Sequence, residues 1–283
     1  MNIDQPRNRD DCVALLDALE SGRIRAAEPD GAGGWRVNRQ VKEGILQVFR
    51  LGVNTDLCDG VFPYRDRDLL FPRNVCPPGV RVVPGGTSIR RGAHVAPDVV
   101  IMPPAYVNVG AYVDAGSMID SHALVGSCAQ VGRGVHVSAA AQIGGVLEPV
   151  GAMPVIIEDG AFLGGNCGVY EGVRVGAGAV LAAGVVLASS TPVYDLVNER
   201  QVEPVGGFLT IPPGAVVVSG TRPASGTFAA QRGLSVSAAI IVKYRDARTD
   251  VRTALEESLR MPAGGRASRP PCPGETPVPH HKM

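Results

Sequence analysis

Residues 89–143 read IRRGAHVAPDVVIMPPAYVNVGAYVDAGSMIDSHALVGSCAQVGRGVHVSAAAQI, and an aliphatic side chain returns at every sixth place: Ile89, Val95, Ile101, Val107, Val113, Ile119, Val125, Val131, Val137 and Ile143. After one gap the beat resumes at Ile157, Leu163, Val169, Val175, Leu181 and Leu187. Four places after these stand small or slender residues such as Ala111, Ser117, Ala123, Ala129, Ala141, Ala161, Cys167 and Ala179, Leu147 being the exception. A period of six suits neither a helix nor a lone strand, but it divides into short strands joined by tight corners. The spacing predicts a mainly β chain built on a parallel β-helix. Three steps per coil give about five coils, each adding about 4.8 Å, so the prism stands about 25 Å tall around stacked aliphatic columns. Gly92, Gly110, Gly116, Gly134, Gly160 and Gly178 fall where corners need positive φ or close backbone approach.

Working outward, the gap between Ile143 and Ile157 contains GGVLEPVGAMP and spends fourteen residues where the beat expects six or twelve. A loop over 144–156 must leave the prism there, either as a cover for a ligand or neighbour or as a harmless insertion. Upstream, DDCVALLDALESGRIRA (10–26) and WRVNRQVKEGILQVFRL (35–51) carry apolar residues at helical spacing, separated by the turn PDGAGG. Residues 52–78, rich in proline and glycine, read as irregular. This gives a small α-rich N-terminal domain over 1–78 and a β-helix over 79–192. A C-terminal extension over 193–261 follows, with strands in 202–223 and 235–245 that close the prism and a helix in ARTDVRTALEESLR. The segment 262–283 has the composition of a disordered tail.

Charge narrows the function. The chain has 283 residues, with 27 basic and 27 acidic side chains and a net charge of zero, so no global field favours nucleic acid or an anionic membrane. Aromatic residues are 5 %, too few for a base-stacking platform. Six cysteines form no CxxC pair and no ligand spacing, which argues against a metal site and a disulfide framework and points to a reducing cytoplasm. The start, MNIDQPRNRDD, is too polar for a secretion signal, and no apolar run is long enough to span a bilayer. There is no P-loop or dinucleotide fingerprint.

Several segments resemble the hexapeptide-repeat acyltransferases, and within them the tetrahydrodipicolinate N-succinyltransferase family. They are RVVP (81–84), YVNVGAYVD (106–114), MID (118–120), VGSCAQVG (125–132), GGVLEP (144–149), IIED (156–159), Glu171-Gly172 and VVVSG (216–220). GSCAQVG and GGVLEP are the specific ones. The resemblance spans residues 80–245, with a weaker echo in the N-terminal helices. It implies a homotrimer of left-handed β-helices with active sites in the grooves between prisms, and an acyl-CoA donor lying along each groove. The implied acceptor is the amine of tetrahydrodipicolinate in its opened 2-amino-6-oxopimelate form. The residue pattern supports a groove independently, because aliphatic columns fill the interior and leave chemistry to outward side chains.

Asp120 follows the inward Ile119 and points outward. Read alone it is a base for an amine nucleophile or a solvated corner residue; its MID context makes it the implied catalytic residue. Arg81, in RVVP, is implied to bind an acceptor carboxylate, for which guanidinium geometry is suited. Glu148, Glu171 and His122 complete the expected acceptor side, and Asn166, Arg174, Arg222 and Lys243 the donor side, with Arg222 first choice for the nucleotide phosphates. His136, Cys128 and Cys167 read as structural, and His94, His280 and His281 have no supporting context. One segment departs from the family. Where relatives have a stretch resembling GARSEVVEG, this chain reads GGNCGVYEG (164–172), so Gly168 replaces an acid and Asn166 an arginine. Succinyl-CoA is the implied donor, and Asn166 keeps acetyl-CoA open, on the same acceptor or a related amino-dicarboxylate of a specialised pathway. A non-catalytic trimeric scaffold is the reading from another class.

Overall fold

The computed structural model describes residues 5–59, 62–73 and 76–246. Its centre is a parallel β-helix of three sheets made from two-residue strands. One face stacks Arg81–Val82, Val100–Ile101, Met118–Ile119, His136–Val137, Phe162–Leu163 and Val180–Leu181. The second stacks Ser88–Ile89, Tyr106–Val107, Leu124–Val125, Gln142–Ile143, Gly168–Val169 and Val186–Leu187. The third stacks His94–Val95, Tyr112–Val113, Gln130–Val131, Ile156–Ile157, Arg174–Val175 and Thr210–Ile211. We call them the Arg81, Tyr106 and Tyr112 faces.

In every dyad the second residue points in. Ile101, Val107, Val113, Ile119, Val125, Val131, Val137, Ile143, Leu163, Val169, Val175, Leu181 and Leu187 are all fully buried, and each contributes about 1.5–3 kcal/mol of burial free energy. Stacked partners are 18 residues apart, as in Tyr112 opposite Gln130. The separation grows to 26 where Gln130 faces Ile156, so the loop over 144–155 adds eight residues to one coil. It grows to 36 where Arg174 faces Thr210. This second insertion, after Leu187, had no counterpart in the sequence reading. It holds Val193–Asp195 and Arg200–Gln201, and the interior columns then resume through Ile211 and Val217. The long antiparallel strands Ala215–Pro223 and Ser235–Tyr244, linked through a short helix over Thr227–Arg232, close the upper end.

Two expectations upstream need correction. Helix α1 spans Arg9–Glu20 and α2 spans Arg39–Leu51. Trp35, expected inside the second helix, lies in a strand, Trp35–Val37, antiparallel to Ala27–Pro29 across the PDGAGG turn. Asn38 sets the boundary, its side chain accepting the N–H of Val41. The stretch expected to be irregular contains a hairpin, Asn54–Asp59 with Phe62–Arg67. Its side chains are mostly exposed, so no apolar alternation announced it. The expected terminal helix and tail lie outside the described residues.

The N-terminal helices do not keep a core to themselves. Cys12, Leu16, Leu19, Val41, Ile45 and Val48 pack in one cluster with Val109 and Cys128 of the prism. At Gly110, with φ +74°, a Cβ would stand 2.8 Å from Ile45 Cδ1, so the bare backbone there lets α2 approach. The Tyr112 face is covered as well: His94 stacks on Tyr112 at 4.4 Å and its Nδ1 donates to the Glu20 carbonyl, 2.9 Å away. The Arg25 guanidinium lies 3.7 Å over the Tyr112 ring and donates to Gln130 Oε1.

Candidate active site

Three edges join the three faces, and their corners differ in one respect. On the edge between the Tyr112 and Arg81 faces, side-chain carboxylates accept the exposed corner amides: Asp114 accepts from Ala115, Asp159 from Arg133 and Glu158 from Ala177. On the edge between the Arg81 and Tyr106 faces one corner among the described residues is treated so, the third, where Asp120 Oδ1 accepts the N–H of Ser121 at 2.7 Å. Above it the preceding residues are Ser138, Gly164 and Ala182, and the amides of Ala139, Gly165 and Ala183 donate to no acceptor among the described residues. The corners are otherwise laced together, Ala140 N–H to Ser121, Asn166 to Ala139 and Gly184 to Gly165, at 2.8–3.0 Å. The result is a column of unmet donors spaced by about 4.8 Å, walled by small side chains, with a carboxylate at its lower end.

Asp120 is half-buried, and its second oxygen has no partner among the described residues. His122 shares its corner, exposed, at φ 62°. Gln142 Nε2 donates to the His122 carbonyl at 3.2 Å and so ties that corner to the Tyr106 face. Asn166, exposed at φ 58°, stands two coils up the same edge, about 10 Å away by strand spacing. Further up, Ser219 Oγ donates to the Gly184 carbonyl at 3.1 Å, and Arg222 follows three residues along the same strand with no ion-pair partner among the described residues. Asp120, His122 and Asn166 therefore lie along one edge, and the strand that carries Arg222 crosses its upper end at Ser219. Arg81 is exposed and has no partner among the described residues, two strands below Met118 on the adjoining face.

The remaining expected residues are elsewhere on the subunit. Glu148 is exposed in the 144–155 loop, on the edge between the Tyr106 and Tyr112 faces. Glu171, on that same edge, accepts from both the N–H and the hydroxyl of Ser189, at 3.2 and 2.6 Å, which holds its carboxyl below the usual range. Arg174 lies on the covered Tyr112 face, paired with Glu158 at 2.6 Å, and Glu158 also accepts from Trp35. Lys243 pairs with Asp246. His136 is buried and stacks on Phe162 at 4.8 Å. Burial pushes the Cys128 thiol up to about 12 and raises that of Cys167, so neither offers a thiolate at neutral pH. Among the described residues no three His, Cys, Asp or Glu side chains cluster as metal ligands.

Two concavities lie away from this edge: one of about 480 Å³ lined by residues within 23–40 alone, and one of about 340 Å³ between the N-terminal segment and the prism at Asp114, Glu158 and Arg174. Arg25 lines both; Glu158 and Arg174, which line the second, are spent on each other.

Two features escaped the sequence reading. One is the amide column, signalled only by runs of Ala, Gly and Ser at successive corners. The other is Lys42, fully buried in α2, whose Nζ donates to the carbonyls of Pro149 and Ala152 at 3.3 and 2.8 Å and pins the loop. Its only sequence signal is a lysine on the apolar stripe of a helix.

Comparison with known proteins identifies the family of the repeat and of the N-terminal segment. Residues 2–51 match a family profile described as tetrahydrodipicolinate N-succinyltransferase N-terminal, and residues 154–189 match one described as hexapeptide repeat of succinyl-transferase. The 2,3,4,5-tetrahydropyridine-2,6-dicarboxylate N-succinyltransferase of Xylella fastidiosa (strain Temecula1) is 43 % identical, covering 87 % of this chain and 86 % of its own. That of Chromobacterium violaceum is 45 % identical, covering 87 % of each. That of Nitrosospira multiformis is 42 % identical over 90 % of this chain and 92 % of its own. Identity of this order along nearly the whole length, on a prism with the same repeat, makes the chain a member of the tetrahydrodipicolinate N-succinyltransferase family.

Proposed function

We propose that the protein transfers the succinyl group of succinyl-CoA to the amine of tetrahydrodipicolinate, taken in its opened 2-amino-6-oxopimelate form, in the cytoplasm and as a homotrimer. The observation that carries this is the column of unmet amides above Asp120, which fits a slender arm lying along the edge and reacting at its lower end. The rows flanking the edge support subunit packing there: Val100, Met118, Phe162 and Val180 on one side, Tyr106, Leu124 and Val186 on the other, are uncharged.

In this reading Arg81 holds a carboxylate of the acceptor, while the open oxygen of Asp120 takes a proton from the ammonium. The free amine attacks the thioester carbon, and edge amides donate to the oxyanion that forms. The attacking nitrogen then gives up its second proton to solvent as the C–S bond breaks and the thiolate leaves, and the proton taken by Asp120 neutralises the thiolate. Gly184, Ser219 and Arg222 continue the line toward the nucleotide end of the donor.

Asn166 favours a second reading for the donor alone. A guanidinium there would pair with the succinyl carboxylate, whereas an amide suits acetyl-CoA. A thiol-release assay with both donors, against tetrahydrodipicolinate and 2-aminopimelate, separates these readings. Faster release from acetyl-CoA selects the second, and no release or binding of either donor leaves a scaffold. Asp120→Asn should lower kcat by about 10²–10⁴, the range for a positioned acid–base group, with sedimentation unchanged. Near-normal turnover would remove Asp120 from the role.

A further inference from the structure

Gly168 stands at an outward position of the Tyr106 face, yet it is buried. What covers it is the side chain of Tyr170. A Cβ built on Gly168 would lie 2.6 Å from Tyr170 Cε2 and 2.9 Å from its hydroxyl oxygen. A Cβ built on Gly144, one coil below, would lie 2.8 Å from Tyr170 Cδ1. The ring is thus seated on two stretches of bare backbone, and neither tolerates a side chain while it remains. Its direction follows from those contacts: Cδ1 lies at its own corner and the hydroxyl over Gly168, pointing back along the face toward the edge that carries Asn166. That hydroxyl has no partner among the described residues, and the residue keeps 36 % of its surface exposed.

Gly168 and Tyr170 belong together. In the GARSEVVEG segment that this stretch resembles, the same two places hold an acid and a valine. A tyrosine cannot lie as it does here over any side chain at 168, and no acid at 168 can stand where the ring now is. The exchange puts a neutral O–H donor into the groove wall in place of a carboxylate. A carboxylate repels a carboxylate; a phenol donates to it.

We propose that Tyr170 is a substrate-binding, specificity-determining residue whose hydroxyl donates to a carboxylate of the amino-dicarboxylate acceptor. This rests on the transferase reading above and adds to it the group that meets one end of the acceptor. Asn166, two residues before Gly168, faces the same stretch of groove and offers a second neutral donor.

The test is calorimetric titration of the full-length protein with 2-aminopimelate in the presence of CoA, beside thiol-release kinetics. Tyr170→Phe keeps the ring on Gly144 and Gly168 and removes only the hydroxyl. It should weaken 2-aminopimelate binding about tenfold and raise the acceptor KM similarly, with kcat and the KM for the acyl donor nearly unchanged. Gly168→Glu displaces the ring and should weaken binding further. Gly168→Glu with Tyr170→Val should recover thermal stability relative to Gly168→Glu alone, because the clash is gone. Equal 2-aminopimelate affinity in wild type and Tyr170→Phe, or no binding to the wild type, overturns the proposal whether or not turnover occurs. Absence of thiol release with intact 2-aminopimelate binding overturns the transferase reading instead.

Discussion

Lys42→Met removes the ammonium that pins the 144–155 loop while keeping an unbranched apolar stem in the same space. Two opposed effects follow. The carbonyls of Pro149 and Ala152 lose a charged donor, and hydrogen bonds to charged groups contribute about 1.5–3 kcal/mol each. Against this, a fully buried cation with no carboxylate beside it is relieved of its desolvation, a penalty of several kcal/mol. Global stability should therefore change by only about 1 kcal/mol, while the loop itself loosens by about 2 kcal/mol, which is roughly thirtyfold in an opening equilibrium. Hydrogen exchange reads both at once. Amides of 146–153 should exchange about thirtyfold faster, and those of Val137 and Leu163, which report global opening, should change by no more than about fivefold.

The pH dependence supplies an internal check. Burial holds the Lys42 ammonium below its ordinary value, so between that lowered value and about 10.5 the unfolded chain binds more protons than the native one. Stability of the wild type must then rise with pH across that window relative to Lys42→Met. The reasoning fails if loop exchange is unaffected, or if the difference between the two proteins is flat there.

Gly126→Ala should be far more damaging than its size suggests. A Cβ there would meet the backbone of Gly144 and Gly145 at 2.6 Å, and backbone cannot rotate aside, so we expect a loss of about 2–4 kcal/mol in denaturant unfolding. Asp195 should behave as an acid-sensitive latch on the second insertion. Burial pushes its carboxyl up, but donation from Asn198, Tyr244 and Val197 outweighs this and holds it below the usual range. Its contribution is therefore present above about pH 4 and lost as pH falls through its native value, whereas Asp195→Asn should be about 1.5–3 kcal/mol less stable at neutral pH and lack that acid limb.

The interior was legible in the sequence because its rule is strict: one aliphatic residue in six, each checked against identical neighbours a coil above and below. That rule gave the three faces, the loop at the one place the count failed, and the outward direction of Asp120. It did not give the second insertion, because after Leu187 the chain leaves the beat and re-enters it only at Ile211. Trp35 was assigned to a helix because Val41, Ile45 and Val48 carry a true helical stripe, which runs backward into a strand unless Asn38 is recognised as a cap. The site was half legible. Motifs point to residues, but Arg174 shows that a cation near a groove motif can be turned to the opposite face and matched with Glu158. Tyr170 could not be read at all, since its meaning lies in a ring covering a glycine two residues away.

The corners also reveal where this chain has traded comfort for chemistry. Along the edge beginning at Asp114 the left-handed corner positions are Gly116, Gly134, Gly160, Gly178 and Gly214, the residue that adopts positive φ without strain. Along the edge beginning at Asp120 they are His122, Ala140, Asn166 and only then Gly184. A designer seeking a hardier prism would write glycine at all of them and gain stability. This edge instead keeps side chains at three successive corners, whereas elsewhere on the prism a side chain takes a left-handed corner singly, at Asp98, Cys128 and Glu171. The unbroken run of strained corners from His122 to Asn166 thus coincides with the edge proposed to hold the ligand, where strain has a use beyond folding.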